Sequence, residues 1–102
     1  MTFIRVGREI DFSKGFIKLV DASGKKIAIA DVNGKLYAFD DKCTHYGGHL
    51  SRGLLFDNIV QCPLHGSQFD VTTGERKSGP AMKPIKTYTV KVEGGEVFID
   101  VV

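Results

Sequence analysis

Tryptophan is absent from this 102-residue chain, and cysteine, histidine and proline are scarce, at two, three and three residues. So few cysteines exclude the disulfide-stapled class of small secreted domain, and one isolated disulfide is a poorer use of the pair than metal ligation. Long apolar runs are missing too. The longest, such as Ile27 to Ala30 and Val97 to Ile99, fall well short of the roughly 18–20 residues that cross a bilayer, which argues against a membrane partner. The opening Met1-Thr2-Phe3-Ile4-Arg5-Val6 has no apolar leader, so a cytoplasmic location is expected. Charge of one sign is also lacking: 14 basic and 12 acidic residues leave +2, far from the basic stripe that nucleic acid would require. No Gly-x-Gly-x-x-Gly follows a strand, and no nucleophile–base pair stands outside the cysteines and histidines. A nicotinamide or flavin site is therefore not expected, and the chain does not read as an enzyme in its own right.

What is present is a succession of short apolar runs broken by glycine-bearing turns. No window keeps a 3.6-residue apolar period, so the chain reads as all-β, mostly antiparallel, with little helix. Asn33-Gly34, between Ile27–Val32 and Leu36–Phe39, predicts a tight hairpin, because both residues tolerate the positive φ of a primed turn. A second hairpin is predicted around Gly94-Gly95. There Tyr88, Val90 and Val92 alternate with polar residues before the turn, and Val97, Ile99 and Val101 alternate after it, giving one buried face. Six of the twelve glycines fall between Cys43 and Pro80, which predicts a loop-rich insert. The expected organisation is a single domain over 1–102. Its β base spans 1 to about 41 and about 82 to 102, and a smaller metal-binding lobe spans about 42–81.

The lobe carries both cysteines and all three histidines. Cys43-Thr44-His45 and Cys62-Pro63-Leu64-His65 are two short ligand pairs, each offering one sulfur and one imidazole. Thiolate and imidazole suit zinc and iron alike, so residue type alone does not choose the metal. Spacing discriminates further, because structural zinc sites generally use Cys-x2-4-Cys knuckles whereas each pair here is mixed.

These residues resemble the Rieske family, whose pattern is Cys-x-His followed, after a spacer, by Cys-x-x-His. The likeness extends to Gly47-Gly48, Leu50-Ser51-Arg52-Gly53, the run from Cys62 to Asp70, Thr73-Gly74, Gly79-Pro80-Ala81 and the stretch from Tyr88 to Gly95. It implies a Rieske-like antiparallel β sandwich or barrel base with a small inserted cluster-binding lobe, and one 2Fe-2S cluster per chain. Cys43 and Cys62 would hold one iron, and His45 and His65 the other. With two ferric ions, two sulfides and two thiolates the oxidised centre is neutral, so it accepts an electron more readily than a centre with four thiolates.

The same resemblance assigns supporting roles. Respiratory Rieske proteins join their two ligand loops by a disulfide, but the matching positions here are Gly48 and Leu64, so that bridge is absent. Ser67 would donate to a bridging sulfide, whereas Phe69 stands where high-potential members place a hydrogen-bonding tyrosine. Together these predict a potential below the respiratory proteins. Pro80 would belong to a segment covering the cluster. Gly47, Gly48, Gly53 and Gly66 serve either close approach or turns. His49 reads as a surface loop histidine, and Lys42, Arg52, Arg76, Lys77 and Lys83 read as solvated bases.

A small domain with a cluster near its tip suits one-electron traffic. Soluble ferredoxins of this kind resemble the middle component of aromatic ring-hydroxylating oxygenase systems, which implies a flavin-dependent reductase as donor and a terminal non-haem iron oxygenase as acceptor. The small non-catalytic chain of assimilatory nitrite reductase is the alternative resemblance, and the four intact ligands favour electron carriage.

Overall fold

The computed structural model describes residues 2–12, 16–44 and 47–101. Among the described residues eleven strands are formed: β1 (Phe3–Arg8), β2 (Ile17–Ala22), β3 (Lys25–Val32), β4 (Lys35–Asp40), β5 (Leu54–Phe56), β6 (Ile59–Gln61), β7 (Gln68–Asp70), β8 (Arg76–Ser78), β9 (Thr87–Tyr88), β10 (Val90–Glu93) and β11 (Glu96–Asp100). The helical segments among the described residues are two three-residue 3-10 turns, Glu9–Asp11 and Leu50–Arg52. The all-β expectation is therefore borne out. The strands make three antiparallel sheets, in the orders β1-β11-β10, β2-β3-β4-β9 and β5-β6-β7-β8.

The middle sheet is covered on both faces, and its sequence shows why. From Ile27 to Ala30 every residue is apolar and buried, the mark of a strand with no solvated side. Alternation sends Ile27 and Ile29, with Leu36 and Ala38 of β4, into a core shared with Val97 and Ile99 of β11. Ala28, Ala30 and Val32, with Phe39, face the opposite core, which contains Val60 and Phe69 of the third sheet together with Cys43 and Cys62. Each fully buried side chain of the size of Phe39 contributes about 1.5–3 kcal/mol.

Both expected hairpins form. Asn33 and Gly34 take φ of 55° and 86° and join β3 to β4, while Gly94 and Gly95 take 59° and 78° and join β10 to β11. The strand leading into the second turn is not continuous, however. It divides at Thr89: Thr87 and Tyr88 pair with Phe39 and Ala38 of the middle sheet, and Val90 onward pairs with β11. Val92 consequently lies 43% exposed and does not share the buried face expected of it.

Within the loop-rich stretch 54–78 stands a small four-stranded sheet, β5–β8, that the sequence did not announce. Each of its strands is three residues long, too short to display a period of two against a glycine-rich background.

Candidate metal centre

Each cysteine of the two candidate pairs lies on a loop whose ends are held by backbone hydrogen bonds. The first loop leaves β4 and returns at the turn Leu50–Arg52. Its base is closed by the Lys42–His49 bridge, and inside it Cys43 N–H donates to Gly48 O at 2.8 Å and Gly47 N–H to Cys43 O at 3.0 Å. The second loop joins β6 to β7 beyond the Gln61–Gln68 pair, with Cys62 N–H donating to Ser67 O at 2.8 Å. His65 and Gly66 there take positive φ, 73° and 78°, and turn the chain sharply between Cys62 and Ser67.

The two loops meet at their cysteines. Cys43 and Cys62 are each 1% exposed, neither is in a disulfide, and both lie in the same buried core. Burial pushes the Cys62 thiol above its ordinary value, the Leu64 N–H that donates to its sulfur opposes this, and Cys43 beside it adds to the rise. Gly48 makes the approach possible. A Cβ at that position would fall 2.9 Å from Cys62 Sγ and 3.0 Å from Leu64 Cβ, so positions 48 and 64 face each other across the loops. Gly53 answers a similar demand, because a Cβ there would run into the Gln61 carbonyl oxygen at 2.0 Å.

Ser67 is completely buried, and its oxygen accepts the Ala81 N–H at 2.9 Å. Among the described residues its hydroxyl proton reaches no acceptor, an unspent donor beside Ala81, which belongs to the core that holds both thiols. Phe69 is fully buried in that same core and supplies no polar group to it. Pro80 is exposed, and Ala81 after it is the residue that anchors the closing segment. Thr44 Oγ1 donates to Lys83 O at 2.8 Å, so this segment is bound to the first loop as well as the second.

His65 lies exposed on the second loop, whereas His45 lies outside the described residues. Among the described residues no three His, Cys, Asp or Glu side chains converge as they would on a single ion. A dinuclear centre does not ask for that, because its ligands divide into pairs. Two buried thiols from separate loops, an N–H already directed at one sulfur and a buried hydroxyl with a proton to give all suit iron and sulfide.

Asp41 was not singled out by sequence. Its side chain is 1% exposed, accepting His49 Nδ1 at 2.8 Å and Ser51 N–H at 2.7 Å, while its carbonyl accepts Leu50 N–H at 2.7 Å. It clasps the end of the first loop. Burial opposes its charge, but the hydrogen bonds from Ser51 and His49 prevail and hold its carboxyl below the ordinary range. His49 is 54% exposed, so it is a surface histidine as expected, although a fixed one. The one legible hint was the Asp40-Asp41 pair close to a candidate ligand, which reads equally well as a solvated turn.

Comparison with known proteins agrees with this geometry. Residues 2–89 match the model of the Rieske [2Fe-2S] domain. The chain is 41% identical over 90 residues to the ferredoxin component of the naphthalene 1,2-dioxygenase system of Pseudomonas aeruginosa, covering 88% of this chain and 86% of that one. It is 42% identical over 91 residues to the 3-phenylpropionate/cinnamic acid dioxygenase ferredoxin subunit of Shigella flexneri serotype 5b, covering 88% and 85%. Among solved structures, the Sphingomonas yanoikuyae B1 ferredoxin superposes with a TM-score of 0.92 at 34% identity, covering 97% of this chain and 98% of that one. A chain in the complex of reduced oxygenase and oxidized ferredoxin in carbazole 1,9a-dioxygenase superposes with a TM-score of 0.90 at 35% identity, covering 95% and 100%. With its two thiols brought together by paired loops, this chain belongs to the Rieske [2Fe-2S] domain family.

Proposed function

We propose that the chain is a one-electron carrier that serves a terminal non-haem iron oxygenase, with Cys43, His45, Cys62 and His65 holding one 2Fe-2S cluster. The observation that carries this reading is the meeting of Cys43 and Cys62 from separate loops in one buried core, with the buried Ser67 hydroxyl hydrogen-bonded to Ala81 of that core. When bound, the cluster supplies a couple that changes by one electron. The protein's own groups set the conditions around it. Leu64 N–H donates to the Cys62 sulfur, and Phe69, Val60 and Leu50 exclude water from the thiols. The exposed His65 puts one proposed ligand at the surface, where a docked partner can approach it.

The ferredoxin-component names of two relatives and the oxygenase–ferredoxin complex of a structural relative support the oxygenase as acceptor. A flavin-dependent reductase fits as donor, because the chain offers no nucleotide fingerprint of its own. We place the carrier in the cytoplasm. Among the described residues no helix is long and apolar enough to cross a membrane. The single-domain organisation, with a base from 1–41 and 82–102 and a ligand-bearing lobe between, is part of the same reading.

An anaerobic preparation should yield two irons and two acid-labile sulfides per chain. After dithionite reduction it should show a rhombic EPR signal with average g below the free-electron value. A preparation holding zinc, with no sulfide and no signal, would overturn the reading.

A further inference from the structure

Beside the first ligand loop runs a groove of about 590 Å3, lined by Lys25 and Lys26 at the start of β3, Lys42 and Gly47 of the loop, and Lys86 ahead of β9. Two carboxylates lie in it, but both are already engaged from within. Asp40 accepts the Tyr88 hydroxyl, and Asp41 accepts His49 and Ser51. Lys26 is paired with Asp21 at 2.7 Å and Lys25 donates to Val101 O at 3.0 Å. Lys42 and Lys86 make no ion pair among the described residues, and Lys86 Nζ stands 5.1 Å from the Tyr88 ring centroid. The wider setting is basic as well. No acidic residue occurs from Lys42 to Phe56 or from Arg76 to Val92.

We propose that this groove receives an acidic segment of the redox partner, an extended stretch carrying at least two Asp or Glu side chains that meet Lys42 and Lys86. The lysine stems and the Tyr88 ring offer apolar cover for the segment's own aliphatic parts. Opposite charge at this position raises the rate of encounter and fixes orientation. Lys42 adjoins Cys43 in the chain, so a segment seated in the groove brings its owner against the flank of the first ligand loop. The inference rests on the electron-carrier reading but is tested without electron transfer.

The probe is a fluorescein-labelled hexaglutamate peptide titrated into the cluster-loaded protein at low salt, followed by anisotropy and by amide NMR shifts. Shifts concentrated at Lys25, Lys26 and Lys86, with binding weakened at least tenfold by the double substitution Lys42→Glu and Lys86→Glu, are expected. Lys18→Glu with Lys35→Glu makes the same change of net charge away from the groove and should weaken binding less than twofold. Equal losses in the two double variants, or shifts scattered over the surface of the unaltered protein, would overturn the proposal. The NMR map needs no variant, so a misfolded substitution does not decide the matter. Hexaglutamate seated in the groove of a sample without EPR signal would sink the carrier reading alone, whereas a normal EPR signal with no localised binding would sink the groove alone.

Discussion

Ala81 N–H donates to Ser67 Oγ at 2.9 Å, and this one bond fastens the segment after Pro80 to the second ligand loop. Because the serine oxygen is acting as acceptor, its proton is left over, and the proposed role for it is a hydrogen bond to a sulfide of the cluster. Ser67→Ala should lower the reduction potential by about 40–90 mV, corresponding to about 1–2 kcal/mol of hydrogen bonding that strengthens when the centre gains charge. Protein-film voltammetry of both proteins checks this, and an unchanged potential would mean that the hydroxyl points elsewhere.

Phe69 sits fully buried in the core that contains both cysteines. Phe69→Tyr adds a donor there, and each donor near sulfur stabilises the reduced state, so the potential should rise. The extra oxygen must also fit a filled core, which is expected to cost about 1–3 kcal/mol of stability. A rise in potential together with a lower melting temperature is the expected pair of results.

Gly48 has no room for a side chain. Gly48→Ala would press a methyl group against Cys62 Sγ at 2.9 Å and Leu64 Cβ at 3.0 Å, forcing the ligand loops apart. Iron content per chain should fall, and the loaded fraction should lose about 1–3 kcal/mol. Gly34→Ala is a useful comparison: nothing lies within 4 Å of its Cβ position, so its cost comes from positive φ alone and iron content should stay unchanged.

Asp70 ends β7 with 9% exposure and accepts Thr72 N–H at 2.9 Å and Thr72 Oγ1 at 2.6 Å. Burial would raise its carboxyl, but the Thr72 bonds, with Asn58 and the charge of Lys77, outweigh this and hold it below the ordinary 3.8. A depressed folded value stabilises the protein above the unfolded value, and that stability is lost as pH falls through the folded one. Asp70→Asn should therefore be less stable by about 1–2 kcal/mol at pH 7, with the gap closing below about pH 4. Denaturant midpoints followed by circular dichroism across that range measure the difference.

Much of the fold was legible wherever a residue type forces a backbone state. Asn33-Gly34 and Gly94-Gly95 announce hairpins because few other pairs accept consecutive positive φ. The crossing at Thr89 was not legible, since Tyr88 and Val90 keep an unbroken alternation while belonging to different sheets. The third sheet was hidden by its three-residue strands. At the centre, Cys43, Cys62 and Ser67 could be singled out by spacing and resemblance, and the structure brings the two sulfurs together. His45 lies outside the described residues, so its place stays with the proposal. Asp41 escaped notice because a buried carboxylate depends on partners that sequence does not reveal, here His49 and Ser51.

The middle sheet keeps its two faces in separate cores, and the core it shares with β11 contains neither cysteine. Nothing in that half of the interior depends on the proposed ligands for its packing partners.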